Sequence, residues 1–554
     1  MIMKPIISVG VIVTMLITLS ACYGSNTSTN KDTNTSKSKS EKNQVLHLSE
    51  NQEIPTLDVS KVTDSVSAHI LGNVMEGLYR LDKDNKPIPG IAESSKKSDD
   101  GKKYTFIIRK NAKWSNGDDV TAQDFVFSWR RLVDPKTASE YAFIAFPIKH
   151  AKLINENKEL PTTLGVKALD SHTLEVELEE PVPYFLNLMA FASFYPINER
   201  VVKEKGDTYG LESNTVVYNG PFVMSEWKHE QGWILKKNNQ YWDKDTVKLE
   251  EIDFNIVKEP TTKVNLYEND QLDRCLLASE LIDKYKDKKG EFGSYLETST
   301  YFLQFNQKRN GKDTLFKNKK LREAIALSID KKKLTNVILN DGSKPADFFV
   351  AEGLATGPDG KDFRSSFKTG LDLNKSKAKK IWEEFKKDTG KNDIQIELLN
   401  YDTGNQKKIG EYLKDQIESN LQGITVNTKP IPFKQKLKLT AAQDYDFSFS
   451  AWNPDYADPM TFIDMFESKS SLNQMSYSNE LYDEIIRKGK KEWLSDPQKR
   501  WEKLGQAEKI LLEDDVAIVP LFQSGKSFVQ KPYVHNIYHH NISPEYSYKW
   551  AYIK

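Results

Sequence analysis

Two cysteines stand in 554 residues, Cys22 and Cys275, and the first lies at the exit of a short apolar leader. Residues 1–20 carry one cation, Lys4, ahead of an apolar run from Ile6 to Leu19, and the small residues Ser20 and Ala21 follow. Such a run is shorter than the roughly 20 residues that a permanent membrane helix needs. It has the flank, core and exit of a secretory signal peptide. An exported chain of this size with one thiol beyond Cys22 has no disulfide framework, so its fold must be held by a large hydrophobic core. Cys275, in LDRCLLAS, reads as a small apolar core residue rather than an intermolecular or reactive thiol.

The run Leu19-Ser20-Ala21-Cys22 resembles the lipobox of bacterial lipoproteins. The resemblance implies cleavage after residue 21 and lipid modification of Cys22; an ordinary signal peptide containing a cysteine is the alternative. From Gly24 to Asn43 there is no aliphatic or aromatic residue, so the segment cannot bury enough apolar surface to offset its ordering entropy. As a flexible coil it reaches about 25 Å. The expected layout is a signal peptide over 1–21 and a lipid-anchored, disordered tether over 22–44. That puts the protein on the extracellular face of a cytoplasmic membrane, and the long tether suits a single-membrane cell. A lipid-binding basic patch is the rival reading of the tether, weakened by Asp32 and Glu41.

Basic and acidic residues number 79 each, a balance that argues against a nucleic-acid partner and against a strongly charged substrate. The length predicts two to four domains. Helical spacing recurs at Val66, Ile70, Val74 and Leu78, predicting a helix over 65–81, and again in helices beginning at Thr121, Lys319, Lys375, Gln406, Leu481 and Asp496. Alternating or apolar runs at 45–48, 104–109, 173–178, 222–227, 233–237, 394–399, 424–429 and 516–522 predict strands. Helices and strands alternate in the second half, which makes this an α/β protein.

The residues offer little catalytic chemistry. Of eight histidines, only His535, His539 and His540 cluster, in VHNIYHHN. On a helix His535 and His539 would share a face and bind zinc with an outside carboxylate. The Tyr- and Pro-rich tail reads instead as extended, where that spacing reaches too far, so neither metal nor cofactor is expected. No HExxH, GxSxG or glycine-rich phosphate loop occurs, and no nucleophile has a base beside it. An enzyme is not expected; an extracellular hydrolase is the remote alternative.

Six segments in order carry a family resemblance: LDVSKVTDS, NVMEGLYRLDKDNKPIPGIAES, DDGKKYTFIIRKNAKWSNGDDVTAQDFVFSWRRLVDP, NGPFVMSEWKHEQGWILKKNNQYWD, LREAIALSIDKKKL and AWNPDYADP. Together they resemble the oligopeptide-binding lipoproteins of ABC peptide importers, the family 5 extracellular solute-binding proteins. The resemblance runs from Val45 to the C-terminus. It implies a two-lobed, periplasmic-binding-protein-like type II fold with an extra domain appended to the first lobe. The first lobe would be discontinuous, over 45–77, 199–298 and 523–554, with the appended domain over 78–198 and the second lobe over 299–522. It also implies a monomer that takes an oligopeptide and hands it to permease subunits in the membrane.

In that family an extended peptide pairs its backbone with strand segments of both lobes. By resemblance, Asp455 of AWNPDYADP holds the peptide ammonium, Trp452 packs nearby, and Ser450, Ala451 and Asn453 offer backbone hydrogen bonds. Thr63, Asp64 and Ser65 would form the facing edge. An Asx-turn beside Pro454 is the structural alternative for Asp455, and Asp458-Pro459 reads as turn chemistry. Phe449 stands where a cation would sit to meet the peptide carboxylate, and Phe191 follows the PVPYF block. The two are candidate pocket residues for longer or more apolar peptides, or simply core. A receptor for one signalling peptide, a pheromone, would use the same fold. A free ammonium explains Asp455 better than the nickel, haem or sugar ligands of other relatives do.

Overall fold

The computed structural model describes residues 43–182 and 184–554. The leader, Cys22 and the tether through residue 42 lie outside the described residues. Strand β1 (Val45–Glu50) buries Leu46 and Leu48 and leaves their neighbours nearer solvent, the two-residue period of a strand covered on one face. Helix α1 (Ser65–Val74) starts where the Asp64 side chain accepts from the Ser67 amide at 2.7 Å, a side-chain cap on otherwise orphaned donors. Next come β2 (Ala92–Lys97), β3 (Lys103–Ile108), helix α2 (Ala122–Val133), β4 (Val166–Asp170) and β5 (Thr173–Glu177). These strands form an antiparallel sheet in the order β2-β3-β5-β4, with α2 against β4. Asp124 accepts from the Thr121 amide at 2.7 Å at the start of α2, and Phe125, Trp129 and Leu132 bury its apolar stripe.

Strands β6 (Phe222–Lys228), β7 (Gly232–Lys237) and β8 (Glu251–Ile256) return to the start of the chain. Their sheet runs β1-β8-β7-β6, with β1 parallel to β8 and the other pairs antiparallel. The largest sheet contains β9 (Arg274–Leu276), β10 (Phe292–Phe305), β11 (Ile394–Tyr401), β12 (Ile424–Ile431), β13 (Phe447–Trp452) and β14 (Ile518–Gln530), in the order β9-β14-β10-β13-β11-β12. Helices α3 (Lys319–Ser328), α4 (Lys375–Thr389) and α5 (Gly404–Asn420) send Leu321, Ile325, Trp382, Phe385, Leu413 and Ile417 into a core shared with Leu398, Val426 and Phe447. Cys275 is buried in β9 with its thiol pushed up to about 12 by desolvation, in keeping with a core residue. Among the described residues no helix is long and apolar enough to cross a membrane.

Strands β10 and β14 run antiparallel over 14 and 13 residues. At one end Phe292–Leu296 pairs with 525–529 and β9 joins the pair; at the other, Thr300–Gln304 pairs with 518–523 and β13 joins. Between Leu296 and Thr300 the register slips. The boundaries expected at 298/299 and 522/523 both fall within these continuous strands, next to the slip.

Two sequence expectations need correction, and one about the tail is met. The predicted helix over 65–81 ends at Val74. There the Gly220 amide donates to the Val74 carbonyl at 3.0 Å, and the Asn219 side chain takes both the amide and the carbonyl of Glu76 at 3.0 and 2.9 Å. Loop 219–220 thus occupies the groups a further helical turn would use. The predicted strand over 516–522 continues to Gln530, because its polar middle is satisfied internally: Gln523 donates to the carbonyls of Glu297 and Glu352 at 2.6 and 2.9 Å. The tail is extended, as its composition predicts. His535 and His539 lie in separate two-residue strands, and His539 instead approaches Glu297 and Glu545, with Lys526 3.7 Å from Glu297.

Candidate functional site

A cavity of about 210 Å³ opens where β13 ends, and several parts of the chain build its wall. Thr63, Asp64 and Ser65 come from the start of α1, Tyr141 and Phe191 from the segment between β2 and β6, and Ser450, Ala451, Trp452, Asn453 and Asp455 from β13 and the turn after it. A second chamber of about 240 Å³ continues from it, sharing Gln52, Ser65, Tyr301 and Gln406. The structure therefore gathers every expected contact residue around one space, except Phe449. That side chain is fully buried beneath the floor, against Tyr301, Tyr401 and Phe522. The period of β13 sends Phe447 and Phe449 into the same core.

The strand itself presents an edge. On one side β13 pairs with β10 along its whole length, from Phe447↔Phe305 to Trp452↔Thr300. On the other, pairing with β11 stops at Leu399↔Ser448. From Ser450 to Trp452 this second edge has no strand partner among the described residues, and it faces the cavity. Extended backbone there offers the ladder of donors and acceptors that an added strand would pair with.

Asp455 is 5% exposed. Its amide donates to Thr461 Oγ1 at 3.0 Å, and the Tyr141 hydroxyl approaches its Oδ1 at 3.5 Å. No cation lies within 4.0 Å of it among the described residues. Burial, reinforced by Asp464 nearby, pushes its carboxyl well above the usual carboxylate range. Its two acidic neighbours are treated differently. Arg500, on helix α7 (Pro497–Lys509), binds both oxygens of Asp458, and Lys490 lies 3.1 Å from Asp464. The turn reading of Asp458 fits this pairing.

Tyr141 stacks on Phe191 and on Trp452, with ring centroids 5.8 and 6.4 Å apart and tilts of 26° and 16°. The aromatic layer holds the turn of Asp455 against the segment that follows β3. Asp64 caps α1 with Oδ1, while its buried Oδ2 and the buried Trp452 Nε1 have no hydrogen-bond partner among the described residues. Burial lifts the Asp64 carboxyl to about 6. Orphaned buried groups of this kind cost free energy unless a ligand or water completes them.

Sequence reasoning missed several lining residues, Tyr141 and Lys436 among them. Tyr141 lies in an apolar stretch with no motif around it. Lys436, on helix α6 (Phe433–Ala441), is 2% exposed; its Nζ reaches Ser450 Oγ at 3.3 Å and lies 4.4 Å from the centre of the Tyr401 ring. A buried amine thus enters the wall from a neighbouring helix, beside the strand that carries Phe449. The run FKQKLKLT has the charge density of a solvated helix face, which hides the one lysine that points inward.

The geometry can be set beside known proteins. The model of the bacterial extracellular solute-binding proteins, family 5, middle region, matches residues 86–474. The dipeptide-binding protein DppE of Bacillus subtilis is 34% identical over 516 residues, 93% of each chain. The substrate-binding domain of an oligopeptide ABC transporter from Bacillus anthracis superposes with a TM-score of 0.92 at 66% identity, covering 93% of this chain and 99% of the other. The pheromone receptor PrgZ superposes at 0.88 with 38% identity, covering 92% and 100%. With its mixed α/β architecture matching theirs, the chain belongs to the two-lobed bacterial extracellular solute-binding proteins of family 5.

Proposed function

We propose that this protein captures oligopeptides outside the cell and delivers them to the permease subunits of an ABC importer. The observation that carries the reading is Asp455: a buried carboxylate with no cation beside it among the described residues, at the end of a strand whose cavity-side edge has no strand partner among them. A peptide supplies both missing partners at once, an α-ammonium for Asp455 and an extended backbone for the edge from Ser450 to Trp452. Thr63, Asp64 and Ser65 face the same ligand from the first lobe, and Phe191 with Tyr141 lines the pocket for an early side chain. The slip between Leu296 and Thr300 supports a hinge in the paired strands β10 and β14, with lobes divided near 298/299 and 522/523. The protein acts by binding, as a monomer, held to the membrane through lipid on Cys22. The names of the relatives, a dipeptide-binding protein and an oligopeptide transporter domain, support the ligand class.

The likeness to PrgZ favours a second reading, a receptor for one signalling peptide. Mass spectrometry of the ligand released by acid from the purified soluble form, residues 23–554, separates the two. A ladder of unrelated peptides of similar length supports the importer receptor. A single peptide supports the signalling receptor, and a non-peptide ligand overturns both.

A further inference from the structure

Three side chains from distant parts of the chain meet beside the register slip of β10. Glu297 stands within the slip and is 6% exposed, while His539 and Glu545 come from the C-terminal tail. One ligating atom from each lies within 4.8 Å of the others. All three line a cavity of about 20 Å³, room enough for a single ion or water.

The tail is held in place by other means. Backbone pairing joins Tyr538 to Ser547 and His539 to Tyr546, and Thr298 Oγ1 donates to the Asn541 carbonyl. The His539 ring lies against Tyr295, with centroids 3.9 Å apart. Its position is thus fixed, yet among the described residues neither ring nitrogen is in a hydrogen bond. The charges are also out of balance. Two carboxylates have one cation within 4.0 Å among the described residues, Lys526, 3.7 Å from Glu297; Arg274 is turned to Gln530 at 2.9 Å. Carboxylates brought together in the interior repel unless a cation or proton joins them.

We infer that Glu297, His539 and Glu545 form a site for a zinc-type divalent cation, which fastens the C-terminal tail to β10 at its register slip. An imidazole beside two carboxylates suits such an ion, whereas calcium and magnesium take oxygen ligands alone. Ligand atoms on tetrahedral zinc stand about 3.4 Å apart, so a further approach of at most about 1.4 Å completes the set, with water in the fourth position. Lys526 also lines the larger neighbouring chamber, into which its flexible stem can withdraw. His535, four residues before His539, has no part in the site and lies against Tyr552. The inference does not depend on the peptide reading, although the small cavity shares Ser65, Asn453 and Ser543 with the peptide cleft.

The test begins with the purified protein freed of metal by a chelator. Zinc chloride is titrated by calorimetry, and cobalt chloride by visible absorption, at about pH 7.5, where imidazole is free to ligate. The expected result is one equivalent of zinc at micromolar affinity or tighter, with the absorption bands of four- or five-coordinate cobalt. His539→Gln and Glu545→Gln should each weaken binding by at least about tenfold, and His535→Gln should leave it unchanged. Crystals of the parent grown with one equivalent of zinc should show an anomalous peak between the three side chains. This arm needs no variant, so it decides the matter if a substitution impairs folding. Absence of zinc binding, equal binding in the parent and both site variants, or a peak only elsewhere each overturns the inference. None of these outcomes touches the peptide reading.

Discussion

Arg500 grips both carboxylate oxygens of Asp458, at 2.7 and 2.8 Å, in the same turn where Asp455 has no cation within 4.0 Å among the described residues. Two residues separate the two aspartates; Asp455 is 5% exposed and the Asp458 side chain 16%. The second is tied into the scaffold by its partner, and the first is a buried carboxyl that no such partner holds.

Asp455→Asn should strengthen the empty protein and weaken the loaded one. The folded carboxyl is raised well above its ordinary value of 3.8. Above that pH the unfolded chain sheds a proton that the folded chain keeps, so stability falls as pH rises toward the folded value. Asparagine removes this penalty. The variant should melt higher than the ligand-free parent at pH 8, with the difference vanishing below about pH 4, while peptide affinity drops by about 3–5 kcal/mol. Differential scanning fluorimetry across pH and titration calorimetry read the two effects.

Arg500→Met should do the opposite of Asp455→Asn. Removing one partner of a partly buried, bidentate pair leaves Asp458 uncompensated, at a cost of up to about 3 kcal/mol. Urea denaturation should show that loss, while the folded fraction binds peptide close to normally.

Gly525→Ala tests the crossing of the long strands. A Cβ at Gly525 would stand 2.2 Å from the Gly342 carbonyl carbon and 2.4 Å from the Ser343 amide nitrogen. Both are backbone atoms, so β14 must move away, at about 1–3 kcal/mol. A midpoint in urea equal to that of the parent would show that the strand gives way freely.

Cys22→Ala should transfer the protein from the membrane fraction to the culture medium without altering peptide affinity, as read by fractionation and calorimetry of the recovered protein. Retention at the membrane would refute lipid anchoring at this position.

Much of this architecture is legible in the residues, and the illegible parts share a cause. Helix α2 announces itself through Thr121, Asp124 and the stripe Phe125, Trp129 and Leu132, because local capping and packing decide it. Strands β10 and the far half of β14 lack a clean apolar signal. They carry Glu297, Thr298, Gln523 and Ser524 into the interior, where partners distant in sequence satisfy them. The same holds at the site. Asp455 and the edge beside it follow from a motif, whereas Tyr141 and Lys436 enter from elements more than ten residues away along the chain, and only the folded packing reveals which of several lysines points inward. Phe449 was a candidate lining residue because it stands in the right strand; strand parity turned it to the other face.

An unpaired strand edge is ordinarily a hazard, since it templates sheet growth with any other chain that meets it. Here the exposed rungs from Ser450 to Trp452 lie indoors, behind Tyr141, Phe191 and the start of α1. A folded neighbour cannot bring its own sheet to them, and only a single slender chain fits the approach. The edge is thereby closed to sheet growth with a folded neighbour, and the mouth of the cavity sorts by thickness before any side chain is met.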